Sequence, residues 1–375
     1  MSKEQVLCDL ILLSWNQLDV TKQCLESLFR TLRIPSRLLI VDNGSERPVR
    51  EYLASVKPAG VVREVELLQN DRNEGFPRGM NRGIAASRAP YVCLLNNDLL
   101  FTEGWLREMI WIAESNPAIG VVNPASSTFG SLPEKGMSLD EYGVSMRQNQ
   151  GIYTEVGMCI GFCMLIKRDL INKIGGLTEE VDRIFFEDED YCMRTQQAGF
   201  MNVVAEGAYV FHAEHKTVKK MPERETLFSK NRDWCEKRWG KRLRIAWPHL
   251  EKLEPGHEST RALMTRLVSW VRRRNHVYLY TPSPSRPDFR ELCRSVSIVP
   301  HADVHWIPIS PAFAHWSAGG WILKRRKKPF DLIASPDERW GKTMEKLRWL
   351  HGASVVPQND EEKLLREWQI KSRSR

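Results

Sequence analysis

The sequence predicts an α/β protein whose larger part is an open, mostly parallel sheet flanked by helices. Three observations lead there. Short apolar runs of strand length, at 7–14, 38–41 and 91–95, end abruptly in polar residues. They alternate with stretches in which apolar residues recur at helical spacing. Their polar ends carry Ser, Asn, Asp and Gly, which turn a chain at a sheet edge. Ligands of open α/β sheets bind outside the carboxyl ends of strands, so these ends are also the first place to look for a site.

A chain of 375 residues exceeds one compact domain, and a domain of about 200–250 residues plus a smaller one is the natural division. The expected division is 1–250, a linker at 251–262 around Glu254-Pro255-Gly256-His257, and a smaller α/β unit at 263–375. No run approaches the roughly 18–20 apolar residues that cross a bilayer. The start, Met1-Ser2-Lys3-Glu4-Gln5, lacks the basic-then-apolar layout of a signal peptide, so a cytoplasmic protein with reduced, mostly buried cysteines is expected. The net charge of +8 admits nucleic acid, anionic lipid or a phosphorylated substrate without choosing among them.

In order, a strand ending in Ser14-Trp15-Asn16 is followed by a helix from Asp19, with Val20, Cys24, Leu25, Leu28 and Leu32 on one face and Pro35 as its stop. The strand at 38–41 ends in Asp42-Asn43-Gly44-Ser45 and completes a βαβ unit. A third strand, 65–68, leads into Gly75-Phe76-Pro77-Arg78-Gly79-Met80-Asn81-Arg82-Gly83, read as a helix that lies close to sheet or ligand. The strand at 91–95 ends in Asn96-Asn97-Asp98, which is either a turn or a ligand set. A helix at 102–115 follows, then loops over 123–150, a strand at 158–166 and a helix at 168–174. Phe185-Phe186 precede four acids, Glu187 to Asp190, in front of another helix, and strands at 203–205 and 208–212 end at His212. A basic run at 216–244 reads as a solvated amphipathic helix. In the C-terminal unit, strands are expected at 276–280, 295–299, 304–309, 331–334 and 354–356, with a helix at 337–350 and a charged helical tail.

Several short signatures follow one another along the chain: Ser14-Trp15-Asn16, Val41-Asp42-Asn43-Gly44-Ser45, Asn73-x-Gly75-Phe76-x-x-Gly79-x-Asn81-x-Gly83 and Leu95-Asn96-Asn97-Asp98. They continue through Gly175-Gly176-Leu177, Phe186-Glu187-Asp188-x-Asp190-Tyr191-x-x-Arg194, His212 and Asn231-x-x-Trp234. Over about 240 residues the chain resembles the inverting family 2 glycosyltransferases of the A-type fold, in their rhamnosyltransferase-like branch. The resemblance implies a hexosyltransferase-type enzyme moving a sugar from a uracil or thymine nucleotide diphosphate sugar, with dTDP-rhamnose the leading candidate, to an acceptor hydroxyl. That acceptor is a saccharide, a lipid-linked saccharide or a protein. The implied cofactor is Mg2+ or Mn2+, held by Asp98 and His212, with His215 the rival ligand. Asp188 is the implied general base, because a carboxylate opposite the leaving group can take the acceptor's proton. Ser14, Asn16, Asp42, Asn43, Arg78 and Asn97 are the implied donor-binding residues, and Arg82 is a further candidate for the pyrophosphate. Asn96 stands where the commoner acidic pattern of the family has an Asp, which weakens intrinsic metal affinity.

Two rivals belong to other classes. A catalytically silent nucleotide-sugar-binding module acting through its C-terminal domain would bind donor without turnover, and Asn96 is its support. A nucleic-acid-binding protein would use the basic runs, but the strand-end acids argue against it. The Lys324-Arg325-Arg326-Lys327-Lys328 patch beside Trp306, Trp316 and Trp321 equally suits an anionic membrane, with peripheral contact at its inner face, or a phosphate-bearing acceptor.

Overall fold

A computed structural model describes residues 5–213, 222–283, 288–325 and 327–373. By contact the chain separates into two units, Met1–Trp234 and Cys235–Arg375. The first unit holds strands β1 (Cys8–Ser14), β2 (Ser36–Asp42), β3 (Val62–Gln69), β4 (Tyr91–Asn96), β5 (Leu99–Phe101), β6 (Ile119–Ala125), β7 (Tyr153–Glu155), β8 (Cys163–Lys167) and β9 (Met201–His212). They form one sheet in the order β3-β2-β1-β4-β8-β6-β9-β5, with β7 also on β9.

The β3-β2-β1-β4 half is parallel. Its central strands are apolar along almost their whole length because helices cover both faces. Register places Ser14 opposite Asp42, and Leu13 opposite Asn96, so three polar strand ends stand level on one edge. The helix Phe76–Ala86 lies hard against β1: a Cβ on Gly79 would sit 2.5 Å from Leu13 Cδ1, and one on Gly83 would overlap Ile11. Close packing on the sheet therefore accounts for the glycine spacing. The other half is mixed, with β8 antiparallel to β4 and β6, and β5 antiparallel to β9.

The second unit is an all-parallel five-stranded sheet of β10 (Arg244–Pro248), β11 (His276–Pro282), β12 (Val304–Ile309), β13 (Leu332–Ser335) and β14 (Ser354–Pro357), in the order β12-β11-β10-β13-β14. It winds outward both ways from β10, the doubly wound arrangement. Because β10 is central to this sheet, residues 244–248 belong with the C-terminal unit, and the division falls before residue 250 rather than at it. The basic run hid this strand, since Arg244 opens it and only Ile245-Ala246-Trp247 is apolar.

Other expectations shift locally. Residues 123–150, read as loops, include the end of β6 and the helix Leu139–Met146, which opens on a capping box between Ser138 and Glu141. The strand expected from 158 begins at Cys163, and the two expected at 203–205 and 208–212 are one strand with a register shift. The strand expected at 295–299 is instead the end of the helix Phe289–Ser295 and a turn. All eight cysteines are buried and unbridged. No helix among the described residues is long and apolar enough to cross a membrane.

Candidate active site

The turn between β4 and β5 carries Asn97 and Asp98, and His212 closes β9. Antiparallel pairing sets Leu99 opposite His212, and the Ala213 amide donates to the Asp98 carbonyl at 3.1 Å, so Asp98 and His212 are fixed by the sheet. His212 Nε2 lies 3.2 Å from Asp98 Oδ1. The other ring nitrogen, Nδ1, is 2.8 Å from Thr128 Oγ1, and the ring stacks on Phe162 with centroids 5.1 Å apart and planes at 11°. Thr128 therefore holds the imidazole so that Nε2 faces the carboxylate. A carboxylate oxygen and an imidazole nitrogen at this separation match neighbouring ligands of a divalent ion with bonds of about 2.0–2.2 Å. Asn96 Nδ2 stands 3.5 Å from the same Nε2. His215 lies outside the described residues.

Asp188 is the second residue of the helix Glu187–Gln197. The approach is strained: Arg183, Phe185 and Phe186 hold φ of 54, 81 and 71°, a left-handed conformation costing about 1–2 kcal/mol for each non-glycine residue. Phe228 packs on both phenyl rings, at 5.4 and 5.2 Å between centroids. Asp188 Oδ1 accepts from the Glu189 amide at 2.8 Å and Oδ2 from the Gly161 amide at 3.3 Å. Desolvation outweighs these bonds and pushes its carboxyl up to about 6. Glu187 is driven well above the carboxylate range, first by burial and then by the charge of Asp188. Asp190 is spoken for by Arg194 at 2.7 Å, whose other nitrogens bind the carbonyls of Ile174 and Gly176.

One dipeptide joins the two clusters. Gly161 N donates to Asp188, Phe162 O accepts from Asn96 N at 2.9 Å, and the Phe162 ring carries His212. Asp188 and the Asp98–His212 pair thus flank the same two residues at the mouth of β8.

The level strand ends form a third group. Ser14 Oγ is 3.4 Å from Thr21 Oγ1, which also accepts from Asn97 Nδ2 at 2.9 Å. Asp42 is fully buried; Oδ1 takes the Ser45 amide at 3.0 Å, while Oδ2 receives no hydrogen bond and lies 3.9 Å from Arg50 Nε. That buried acceptor is the clearest unmet polar group on this edge. The side chains of Asn16 and Asn43 are committed elsewhere. Asn16 caps Glu46 N at 2.8 Å, and Asn43 binds Asn70, Asn73, Glu74 and Gly75. Arg78 projects into solvent beside Glu74 and Glu179, and Arg82 is tied to Gln69 and Asn70. Thr21, Thr128, Gly161 and Phe162 were not among the expected site residues. They belong to no motif, and only the fold brings them to Asp98 and Asp188.

Among the described residues, the one set of three metal-competent side chains with converging donor atoms lies in the C-terminal unit: His276, Asp303 and His305. Asp303 Oδ1 is 3.0 Å from His276 Nδ1, which is 3.3 Å from His305 Nε2. The charges of Arg242, Arg244 and Arg325 bear on this group, so it is better described as a hydrogen-bonded chain in cationic surroundings than as a cation site.

Comparison with known proteins adds the following. Residues 9–175 match the family described as Glycosyl transferase family 2. Ser14, Asp42 and Asp98 fall inside that match; Asp188 and His212 lie beyond it. An uncharacterized protein, y4gI, of Sinorhizobium fredii is 27% identical over 259 residues, 62% of this chain and 27% of that one, so this chain spans about a quarter of that relative. An N-acetylglucosaminyl-diphospho-decaprenol L-rhamnosyltransferase of Mycobacterium tuberculosis is 25% identical over 230 residues, 53% of this chain and 73% of that one. Among solved structures, the mannosyltransferase PcManGT of Pyrobaculum calidifontis, in complex with GDP-Man and Mn2+, aligns over 93% of this chain and 81% of its own, with a TM-score of 0.44 and 12% identity.

Proposed function

Over residues 9–175 the chain belongs to glycosyl transferase family 2, and from that premise we propose that it transfers a sugar, with inversion, from a nucleotide diphosphate sugar to an acceptor hydroxyl. Asp188 takes the hydroxyl proton as the oxygen attacks the anomeric carbon, and a single displacement inverts the configuration there. A carboxyl pushed up to about 6 is ionised at neutral pH and more basic than an ordinary aspartate. Asp98 and His212 would hold Mg2+ or Mn2+, which supplies charge compensation for the departing diphosphate. Ser14, Thr21, Asn97 and the free oxygen of Asp42 line the edge where the nucleoside would lie, and Asp42 suits an N–H donor on the base. Asn16 and Asn43 shape the loops around it.

The observation that supports this reading is the Gly161–Phe162 dipeptide, which touches both a carboxyl of raised pKa and the carboxylate–imidazole pair. The donor carries uracil or thymine. The name of the mycobacterial relative favours a rhamnosyl donor and a lipid-linked saccharide acceptor over a free saccharide or a protein.

The test incubates the full chain with a panel of nucleotide sugars and Mg2+ or Mn2+ and measures nucleotide diphosphate release with candidate acceptors. Asp188→Asn keeps donor binding and loses transfer, and Asp98→Ala loses metal dependence together with activity. Donor binding without release from any pair would mean a silent binding module. Transfer surviving in Asp188→Asn would place the base elsewhere.

A further inference from the structure

The C-terminal unit exposes aromatic side chains that its own core leaves uncovered. The helix Ala314–Lys324 buries Ala318, Gly319 and Ile322. At 100° per residue, Trp316, Ser317, Gly320, Trp321 and Lys324 fall on the opposite side, within an arc of roughly 140°. Trp316 is 81% exposed and Trp321 48%, and Phe313, in the turn that leads into the helix, is 66% exposed. The neighbouring helix Arg348–His351 packs against this one and adds Trp349, 80% exposed, and Leu350. Single exposed apolar residues need no explanation; a group of large aromatics on adjoining helices does.

The surroundings are basic. Between residues 311 and 351 nine Lys and Arg stand against four Asp and Glu. Lys324, Lys327 and Lys328 are exposed, and Lys324 Nζ lies 5.9 Å over the Trp321 ring. Tryptophan is the side chain best suited to a membrane–water interface, having an apolar body and one polar N–H, and lysine stems carry charge to phosphate depth.

We propose that this face docks the C-terminal unit on an anionic lipid bilayer, with the tryptophans at headgroup level and the lysines paired with lipid phosphates. A protein partner would more commonly be met by an apolar centre depleted in lysine, whereas here lysine runs alongside the aromatics. The inference rests on the C-terminal unit alone and stands apart from the transfer chemistry. It accords with a lipid-linked acceptor, which is itself confined to a bilayer.

The test is flotation of the full chain with phosphatidylcholine–phosphatidylglycerol vesicles and with pure phosphatidylcholine vesicles, each at low and high salt. Wild-type protein should float with the anionic vesicles and be released by salt. The triple variant Lys324→Gln, Lys327→Gln, Lys328→Gln should lower partition about 100-fold at low salt. Trp316→Ser with Trp321→Ser, and Trp349→Ser separately, should each lower it about tenfold or more. These side chains are exposed, so far-UV circular dichroism and thermal unfolding should match wild type, and the lysine variant tests the face by charge alone. Wild-type protein left in the aqueous layer with both vesicles, or tryptophan and lysine variants floating as wild type does, would overturn the proposal. Nucleotide diphosphate release is read in parallel: its failure bears on the transfer reading and leaves the flotation result standing.

Discussion

Asp188→Asn should stabilise the N-terminal unit at alkaline pH while abolishing transfer. Burial raises the carboxyl from the ordinary 3.8 to about 6. Between those values the folded chain keeps a proton that the unfolded chain has lost, so folding stability falls as pH rises through that window. The full effect is ~3 kcal/mol at ~1.4 kcal/mol per tenfold change, an upper limit because the side chain is partly exposed. Asparagine removes the buried charge but offers one acceptor oxygen where the carboxylate meets two amides, Gly161 N and Glu189 N. Leaving one amide unmet costs about 1 kcal/mol. The variant should then gain up to about 2 kcal/mol near pH 8 and lose about 1 kcal/mol near pH 4. Urea unfolding of the full chain at both pH values, following the transition of the N-terminal unit, measures the swing. Wild-type kcat/KM should fall tenfold per pH unit below about 6, and the variant should be inactive throughout. A stability difference that is the same at both pH values would refute the argument that this carboxyl is desolvated, and residual pH-dependent transfer would refute its role as base.

Thr128→Val should weaken Mn2+ binding about 10- to 100-fold in the presence of nucleoside diphosphate, because Nδ1 of His212 loses its orienting hydroxyl; unchanged affinity by calorimetry would mean that Phe162 and the sheet fix the ring unaided. Arg37→Met should cost about 3–5 kcal/mol in urea unfolding, since Asp9 is fully buried and takes Arg37 Nε at 2.9 Å and Nη2 at 3.1 Å. Replacing Asp9 with Asn in the same chain removes the uncompensated charge while keeping an acceptor for the Arg88 and Ala89 amides, so the double variant should recover part of that loss, and one no better than Arg37→Met would sink the ion-pair account. Gly44→Ala should cost more than about 1–2 kcal/mol, because φ is +78° and the new Cβ would meet the Arg72 backbone at 2.5 Å. The same change should raise the KM for donor by displacing the Asp42–Ser45 turn, and a wild-type KM would separate that turn from the nucleotide.

The parallel half of the sheet was legible because its strands are buried on both faces and read as continuous apolar runs with polar ends. The mixed half was not. In β6, Ile119-Gly120-Val121-Val122-Asn123-Pro124-Ala125, Gly, Asn and Pro mimic a loop; Asn123 is tolerated there because its amide bonds Ile160 and Cys163. The acid that motif order singles out, Asp188, is desolvated and takes two backbone amides, which its sequence neighbours do not reveal. The sequence could not distinguish Asn43, whose amide is consumed in tying its own loop to the one at 70–75, from Asp42 one residue earlier, whose second oxygen receives no hydrogen bond. Both are buried, and the distinction depends on which partners the turn at Gly44 brings to each. Thr21 and Thr128 were invisible for a related reason: each matters through one hydroxyl aimed by tertiary structure.

Asn96 acquires a reason from the same geometry. Its amide stands against His212 Nε2, in the position where an acid would place a second negative charge beside Asp98. On the proposed reading, Asp98 and His212 would then offer a divalent ion one carboxylate and one imidazole, and the assembly would retain a net positive charge. Such a pair would hold the ion weakly by itself and firmly once a diphosphate supplied the missing negative oxygens. Ion and donor must then raise each other's affinity by the same factor, since coupling between two bound species is reciprocal.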